Sequence, residues 1–263
     1  GGEDATMVFS YSEIDTPAEF IGFKLSVSGL KGGHSGIDIP LGRGNSNKIF
    51  FRILLASRKL GVQLASVDGG SLRNAIPRET FGIIALPKTS VTAFSALVSS
   101  IAGDIKAELS ATEPNLEISL ESVALPAVII DEGTLSHLTA AVVACPNGVI
   151  RMSDSMQGLV ETSSNLAIVK SDTNSKTISC GCLMRSSVDT ARSELAGRIQ
   201  ALFELAGAGV SFTGAYAGWK PNMDSAILTI MRRVYEDKFG RTPKINAIHA
   251  GLECGILGSR YPH

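Results

Sequence analysis

Residues 23–36 read "FKLSVSGLKGGHSG" and join a strand pattern to a glycine-rich loop. Apolar and polar residues alternate from Phe23 to Val27, which predicts a strand with one buried face. In the loop that follows, His34 lies among glycines, and their missing side chains allow a ligand to approach the backbone closely. The stretch therefore predicts a sheet with a candidate binding loop beside one strand.

The residues after this loop continue in alternating strand and helix patterns. Apolar residues of 45–60 recur at helical spacing and predict a helix capped by Asn45 or Asn47. It is followed by two strand-like runs around Gly69, an amphipathic helix over 90–109 and an alternating strand over 115–123. This order predicts one α+β unit.

A similar order recurs in the second half of the chain. A helix near 135–145 precedes two strands, a long helix and a closing strand, predicted over residues 159–169, 176–186, 189–205 and 209–216. We therefore predict two related α+β units on one antiparallel sheet, although the repeat is one of pattern and not of residue identity.

Composition limits the possible partners. The chain has 263 residues and a formal net charge of -1, which argues against a nucleic acid or an anionic membrane surface as partner. No apolar run approaches the roughly 20 residues that cross a bilayer. The four cysteines favour reduced, packed thiols of a cytoplasmic protein over disulfides or a metal site. The first residue is not Met, and we expect a piece of a longer protein.

Two polar side chains in the first unit are candidates for ligand binding. His34 could donate a hydrogen bond to a developing oxyanion, or it could be a solvent-exposed residue of a turn. Asn74, in "SLRNAIPRE", precedes an extended Ile-Pro segment and could bond a substrate backbone, or it could open a strand through an Asx turn.

Two charged side chains are candidates at strand ends. Arg185 ends the apolar strand "CGCLMRS", where a guanidinium can grip a carboxylate in bidentate fashion; a surface ion pair is the alternative. Glu253, in "HAGLECG", is placed to meet a ligand ammonium or a metal, unless it only stabilises a turn.

Several common catalytic signatures are missing. Residues 42–48 lack the spacing of a phosphate-binding loop, and neither His-Glu-x-x-His nor Gly-x-Ser-x-Gly occurs. The four histidines are far apart, and none belongs to a pair with ligand spacing.

Taken together, five segments resemble one family. "GLKGGHSGIDIPLGRGNSNK", "GGSLRNAIPRE", "PNGVIRMSD", "GLVETSSNLA" and "IHAGLECG" resemble the aminoacyl-histidine dipeptidases, which are also called cytosolic non-specific or Xaa-His dipeptidases. These are two-zinc metallopeptidases related to glutamate carboxypeptidase, and the resemblance runs from Gly1 to His263.

The resemblance implies a lid or dimerisation domain inserted into an α/β catalytic domain. On that basis we expect a catalytic-domain stub in 1–18, the lid domain in 19–216 and a partial catalytic domain in 217–263. The family's zinc ligands match no segment of this chain, so we expect them outside it and expect the piece alone to be inactive.

The resemblance also implies roles for the four candidates. His34 would stabilise the oxyanion, often in a neighbouring subunit's site, within a homodimer formed through the lid. Asn74 and Arg185 would hold the backbone and the terminal carboxylate of a dipeptide substrate, and Glu253 its α-amino group. Two alternatives stay open: a non-catalytic dimerisation module, and a hydrolase of N-acyl amino acids, whose substrates lack the ammonium that Glu253 would meet.

Overall fold

The computed structural model describes residues 1–219, 222–246, 257, 260 and 261 as a mixed α+β structure with antiparallel strand pairing. Its strands are β1 (Gly2–Ser10), β2 (Glu13–Asp15), β3 (Phe20–Ser28), β4 (Gly33–His34), β5 (Gln63–Gly69), β6 (Ala75–Ile76), β7 (Thr80–Pro87), β8 (Glu117–Val123), β9 (Val128–Ile130), β10 (Gly148–Met152), β11 (Val160–Asp172), β12 (Thr177–Ser186) and β13 (Gly209–Tyr216). Its helices are α1 (Ser46–Ser57), α2 (Val91–Glu108), α3 (Glu132–Ala144), α4 (Asp189–Leu205) and α5 (Ala226–Phe239).

Side-chain caps mark the first residues of two helices, α1 and α3. The Asn45 side chain accepts a hydrogen bond from the backbone N–H of Lys48 at 3.2 Å and caps α1, as predicted. In α3 the Asp131 side chain does the same for Thr134. The residue before α5 is Ser225, and its side chain makes no cap bond.

The first α+β unit runs from β3 to β8. Its chain order is β3-α1-β5-β7-α2-β8, and its strands lie side by side in the order β5-β7-β3-β8. All of these pairs are antiparallel. This is the split βαβ arrangement, in which each helix crosses from one strand to a strand beyond its neighbour.

The second unit has the same arrangement, but its first strand comes from the beginning of the chain. Its order is β1-α3-β11-β12-α4-β13, and its strands lie as β13-β1-β12-β11. The first unit is thus inserted between β1 and α3 of the second. The assignment of residues 1–18 to a catalytic domain stays a prediction, while the sheet itself includes Gly2–Ser10 as an inner strand.

The two units meet through corresponding strands. β11 pairs with β5 at Val169↔Gly69 and Lys170↔Asp68, and each is the second strand of its own unit. The sheet order therefore reads the same from both ends, as in a two-fold related pair. A continuous cluster of buried apolar side chains includes residues of both units, among them Phe50, Phe94, Met184 and Phe203.

A substitution at Gly70 can test the close approach of the two units at this junction. Its φ is +71°, and a Cβ there would overlap the carbonyl oxygen of Ala167 on β11. We expect Gly70→Ala to destabilise the protein by about 3 kcal/mol or more, measured by denaturant unfolding, because positive φ and overpacking both cost free energy.

Gly103→Ala is the matched control for this substitution. Gly103 lies within α2, and no atom lies within 4 Å of the position that a methyl group would take there, so alanine should stabilise the protein by up to about 1 kcal/mol. Equal effects of the two substitutions would contradict the proposed close approach at the junction.

The described cysteines agree with reduced, packed thiols. Cys145, Cys180 and Cys182 are free and buried, and the Sγ atoms of Cys145 and Cys182 lie 3.6 Å apart. Burial raises the pKa of the Cys180 thiol, which keeps it protonated. Among the described helices, none combines the length and apolar character that a membrane span needs.

Candidate functional site

The glycine-rich segment forms a loop that lies against strands β10 and β11 of the sheet. We call residues 31–44 the His34 loop. Within it β4 pairs with β6, so that His34 lies opposite Ala75, and Ser35 N donates to the Asn74 carbonyl at 2.9 Å. The predicted residues His34 and Asn74, which are 40 positions apart, are therefore neighbours through their backbones.

Hydrogen bonds within the loop fix the state of the His34 ring. The backbone N–H groups of Gly36 and Ile37 donate to Nδ1 at 3.1 and 3.2 Å. Since Nδ1 accepts, the proton of the neutral ring is on Nε2. The half-buried ring thus keeps Nε2–H as its hydrogen-bond donor.

An aspartate and an arginine hold the loop backbone around His34. Asp38 Oδ2 accepts from His34 N at 2.8 Å, and Asp38 N donates back to the His34 carbonyl at 2.9 Å. Arg43 forms an ion pair with Asp38 at 3.4 Å and donates to the Gly32 carbonyl. Gly33 has a φ of +139°, and a side chain there would collide with both Asp38 and Arg43. The packing of this loop therefore requires glycine at position 33.

Electrostatics keep the His34 ring neutral. Burial of the ring lowers the pKa of His34 below its ordinary value of 6.5, the positive charge of Arg185 lowers it further, and Asp38 opposes both. The ring is consequently uncharged near neutral pH.

Arg185 reaches the same place from the second unit. The residue is 7% exposed, its Nε donates to Ser35 Oγ at 3.3 Å, and its Nη1 donates to Tyr216 Oη at 3.1 Å. A methyl group placed on Gly36 would lie about as close to the His34 ring, at 3.1 Å, as to Arg185 Nε, at 3.4 Å. Arg185 and His34 therefore flank Gly36.

No carboxylate among the described residues forms an ion pair with this buried guanidinium. In the described ranges none of the ion pairs involves Arg185, so the surface ion pair that was the alternative for this residue is not seen there. Its side-chain partners within the described residues are two hydroxyl groups, and a buried cation held in this way retains a strong preference for an anion. The arrangement can bind a carboxylate beside a neutral N–H donor.

Of the other two candidates, Asn74 and Glu253, the structure describes Asn74. Asn74 is exposed beside the loop, and the structure gives its side chain no fixed partner within the described residues. Glu253 lies outside the described residues.

Across the described ranges, no three His, Cys, Asp or Glu side chains are grouped to hold a metal ion. The described part of the chain thus offers no ligand set for the two zinc ions that the resemblance implies.

Sequence patterns did not indicate the residues that hold the candidates in place. Ser35 and Tyr216 contact Arg185, and Tyr216 can reach it because its strand neighbour Gly2 has no side chain. Glu113 accepts hydrogen bonds from both ends of the His34 loop. Each of these partners is far from its target in sequence, and only the glycine at position 2 would have been visible as a signal.

The chain is similar to known peptidases. Residues 25–113, most of the first unit, match the peptidase dimerisation domain. The whole chain is 40% identical to the cytosol non-specific dipeptidase of Escherichia coli (strain K12) and covers 54% of that protein.

A solved structure gives the same result. The aminoacylhistidine dipeptidase of Vibrio alginolyticus superposes on the whole chain with a TM-score of 0.95 and 43% identity, and the match covers 53% of that protein. The chain thus spans about half the length of both relatives.

Proposed function

We propose, since the chain is related along its whole length to cytosol non-specific and aminoacylhistidine dipeptidases, that it is the substrate-holding part of a dipeptide hydrolase. The observation that carries this proposal is the buried Arg185, which lacks a carboxylate partner in the described ranges and lies beside the neutral His34 ring. A peptide's terminal carboxylate is the anion that such a pair can bind next to a scissile carbonyl.

Each of the four candidate residues then has a role. Arg185 binds the terminal carboxylate, and Asn74 bonds the peptide backbone. His34 donates Nε2–H to the oxyanion that develops when water adds to the scissile carbonyl. Glu253 receives the free α-amino group. An arginine for the carboxylate and a glutamate for the ammonium would together measure the length of a dipeptide, here of the Xaa-His type.

The remaining parts of the proposal concern the longer protein. Two zinc ions would activate the attacking water, with ligands outside this chain. The description of the matched domain supports a homodimer. Because β5 and β11 pair with each other, a second copy would meet the outer strands β8 or β13, or another face. The name of the Escherichia coli relative supports a cytoplasmic location.

A comparison of three substrates with the full-length protein tests the proposal. We expect hydrolysis of a free Xaa-His dipeptide, and at least about a tenfold lower kcat/KM for its N-acetylated and its C-terminally amidated forms, because each leaves one buried charge unpaired. Equal rates for the N-acetylated form would indicate an N-acyl amino acid hydrolase. No hydrolysis of any of the three would indicate a non-catalytic module.

A further inference from the structure

The His34 loop is closed by one buried carboxylate. Glu113 is 2% exposed and lies in the turn between α2 and β8. Its Oε2 accepts from the backbone N–H of Lys31 at 2.8 Å, and its Oε1 accepts from that of Gly44 at 2.9 Å. The first and last residues of the loop are therefore hydrogen-bonded to the same side chain.

The surroundings of Glu113 leave it little freedom to move. Its own N–H donates to the Leu109 carbonyl at 2.7 Å, and its carbonyl accepts from Leu116 N at 3.1 Å. At Gly44 a Cβ would come within 2.9 Å of Leu30 and 3.1 Å of Leu109, so the chain passes close to the end of α2. The carboxylate is held rigidly, and the loop ends are held by it.

We propose that Glu113 is a positioning residue for His34, a proposal that rests on the oxyanion role of His34 given above. Glu113 does not touch the ring. It fixes the ends of a loop whose interior hydrogen bonds, from Gly36 and Ile37 to Nδ1, set the ring's orientation and leave Nε2–H as the donor. A hydrogen-bond donor acts on an oxyanion only when it is held in place before the reaction.

Charge and geometry explain why a glutamate serves here. One carboxylate can accept from two converging N–H groups, and hydrogen bonds to an ionised acceptor are stronger than those between neutral groups. A glutamine of the same shape has one oxygen. Its NH₂ group would face one of the two N–H donors, so that one buried donor would lose its partner.

The test is Glu113→Gln in the full-length protein, with Glu108→Gln as the matched control. Glu108 is on α2, exposed, and bonded to Arg52 rather than to the loop. We expect Glu113→Gln to lower kcat about tenfold or more with less than a threefold change in KM, because His34 acts in the transition state. The control should change neither constant.

Two further measurements do not depend on activity. By ¹⁵N NMR the wild-type His34 ring should be the Nε2–H tautomer, and Glu113→Gln should give a mixture of tautomers. In the wild type, the amide protons of Lys31 and Gly44 should exchange more slowly than those of the exposed turn at 173–175. This second measurement keeps the test valid if the variant does not fold.

The outcomes separate this inference from the function on which it rests. Unchanged His34 tautomer and kcat in Glu113→Gln, or fast exchange at Lys31 and Gly44 in the wild type, would overturn the positioning role. A changed tautomer with unchanged kcat would support the positioning role and remove His34 from the reaction. Absence of activity on dipeptides would refute the proposed function. The NMR and exchange results would still test the positioning role of Glu113.

Discussion

Replacing His34 by alanine in the full-length protein should lower kcat for a dipeptide by about 10²–10³ while KM changes little. The reason is that the proposed oxyanion donor acts only when the carbonyl oxygen becomes negative, and loss of one such donor typically costs this much. The ring is prepared for this role by its neutral state and by the two backbone N–H groups that donate to Nδ1. Steady-state kinetics with bound metal measured in parallel would test the prediction.

His137→Ala is the control for this substitution. His137 is exposed on α3, away from the His34 loop, so its removal should leave kcat within a factor of two. If His34→Ala kept more than a third of the wild-type turnover, the oxyanion role would be lost. An equal fall of kcat in both variants would indicate a general effect of removing imidazoles.

Replacing Arg185 by methionine should chiefly raise KM for dipeptides, by a factor of about 30 or more. Removing one partner of a desolvated charge pair costs about 2–5 kcal/mol, since the substrate carboxylate would then be buried without a cation. Arg185 is buried, and Ser35 and Tyr216 hold its guanidinium in place. We therefore expect its removal to change KM more than removal of an exposed arginine. Arg52→Met, which removes an exposed ion pair, is the control and should leave KM unchanged.

The same substitution should also change the titration of His34. Arg185 is the second cause, after burial, that lowers the pKa of His34, so Arg185→Met should raise that pKa, whereas Arg185→Lys keeps the charge and should leave it low. NMR titration of the imidazole in both variants would measure this. A KM unchanged in Arg185→Met, or a His34 pKa that does not respond to loss of the charge, would place Arg185 outside the pocket.

The direction of the pH dependence follows from this lowered pKa. Native His34 binds a proton less readily than unfolded His34, so its contribution to stability is lost as the pH falls through 6.5 toward the native pKa. Protonation would also place a proton on Nδ1, which accepts from Gly36 and Ile37. We therefore expect the acid limb of kcat/KM to move to higher pH in Arg185→Met.

Sequence periodicity predicted most of the elements, and it did so because their signals are local. The cap at Asn45, the helix Asp189–Leu205 and the strand Gly209–Tyr216 were predicted within a residue or two. Each depends on residues fewer than 20 positions apart, through capping or through the alternation of buried and exposed side chains. The resemblance to the aminoacyl-histidine dipeptidases was likewise carried by short segments, and it is confirmed by whole-chain identity and superposition.

Long-range pairing was not predictable in the same way. No local pattern shows that Gly2–Ser10 completes the second unit, because its neighbours β12 and β13 lie more than 160 positions later. Those pairings depend on which strands share a buried face once the first unit has been inserted. The sequence pattern suggested two units that follow each other along the chain, whereas in the structure the first unit is inserted into the second.

The amino-acid sequence by itself determined the class of the fold, the glycine loop around His34 and the candidates Asn74 and Arg185, because residue type and short spacing carry that information. Only the tertiary structure decided that Arg185 is buried without a carboxylate among the described residues, that it flanks Gly36 together with His34, and that Glu113 closes the loop. Burial, pKa and hydrogen-bond partners are properties of groups brought together by folding, over separations of 69 to 150 residues here, and no single stretch of chain contains them.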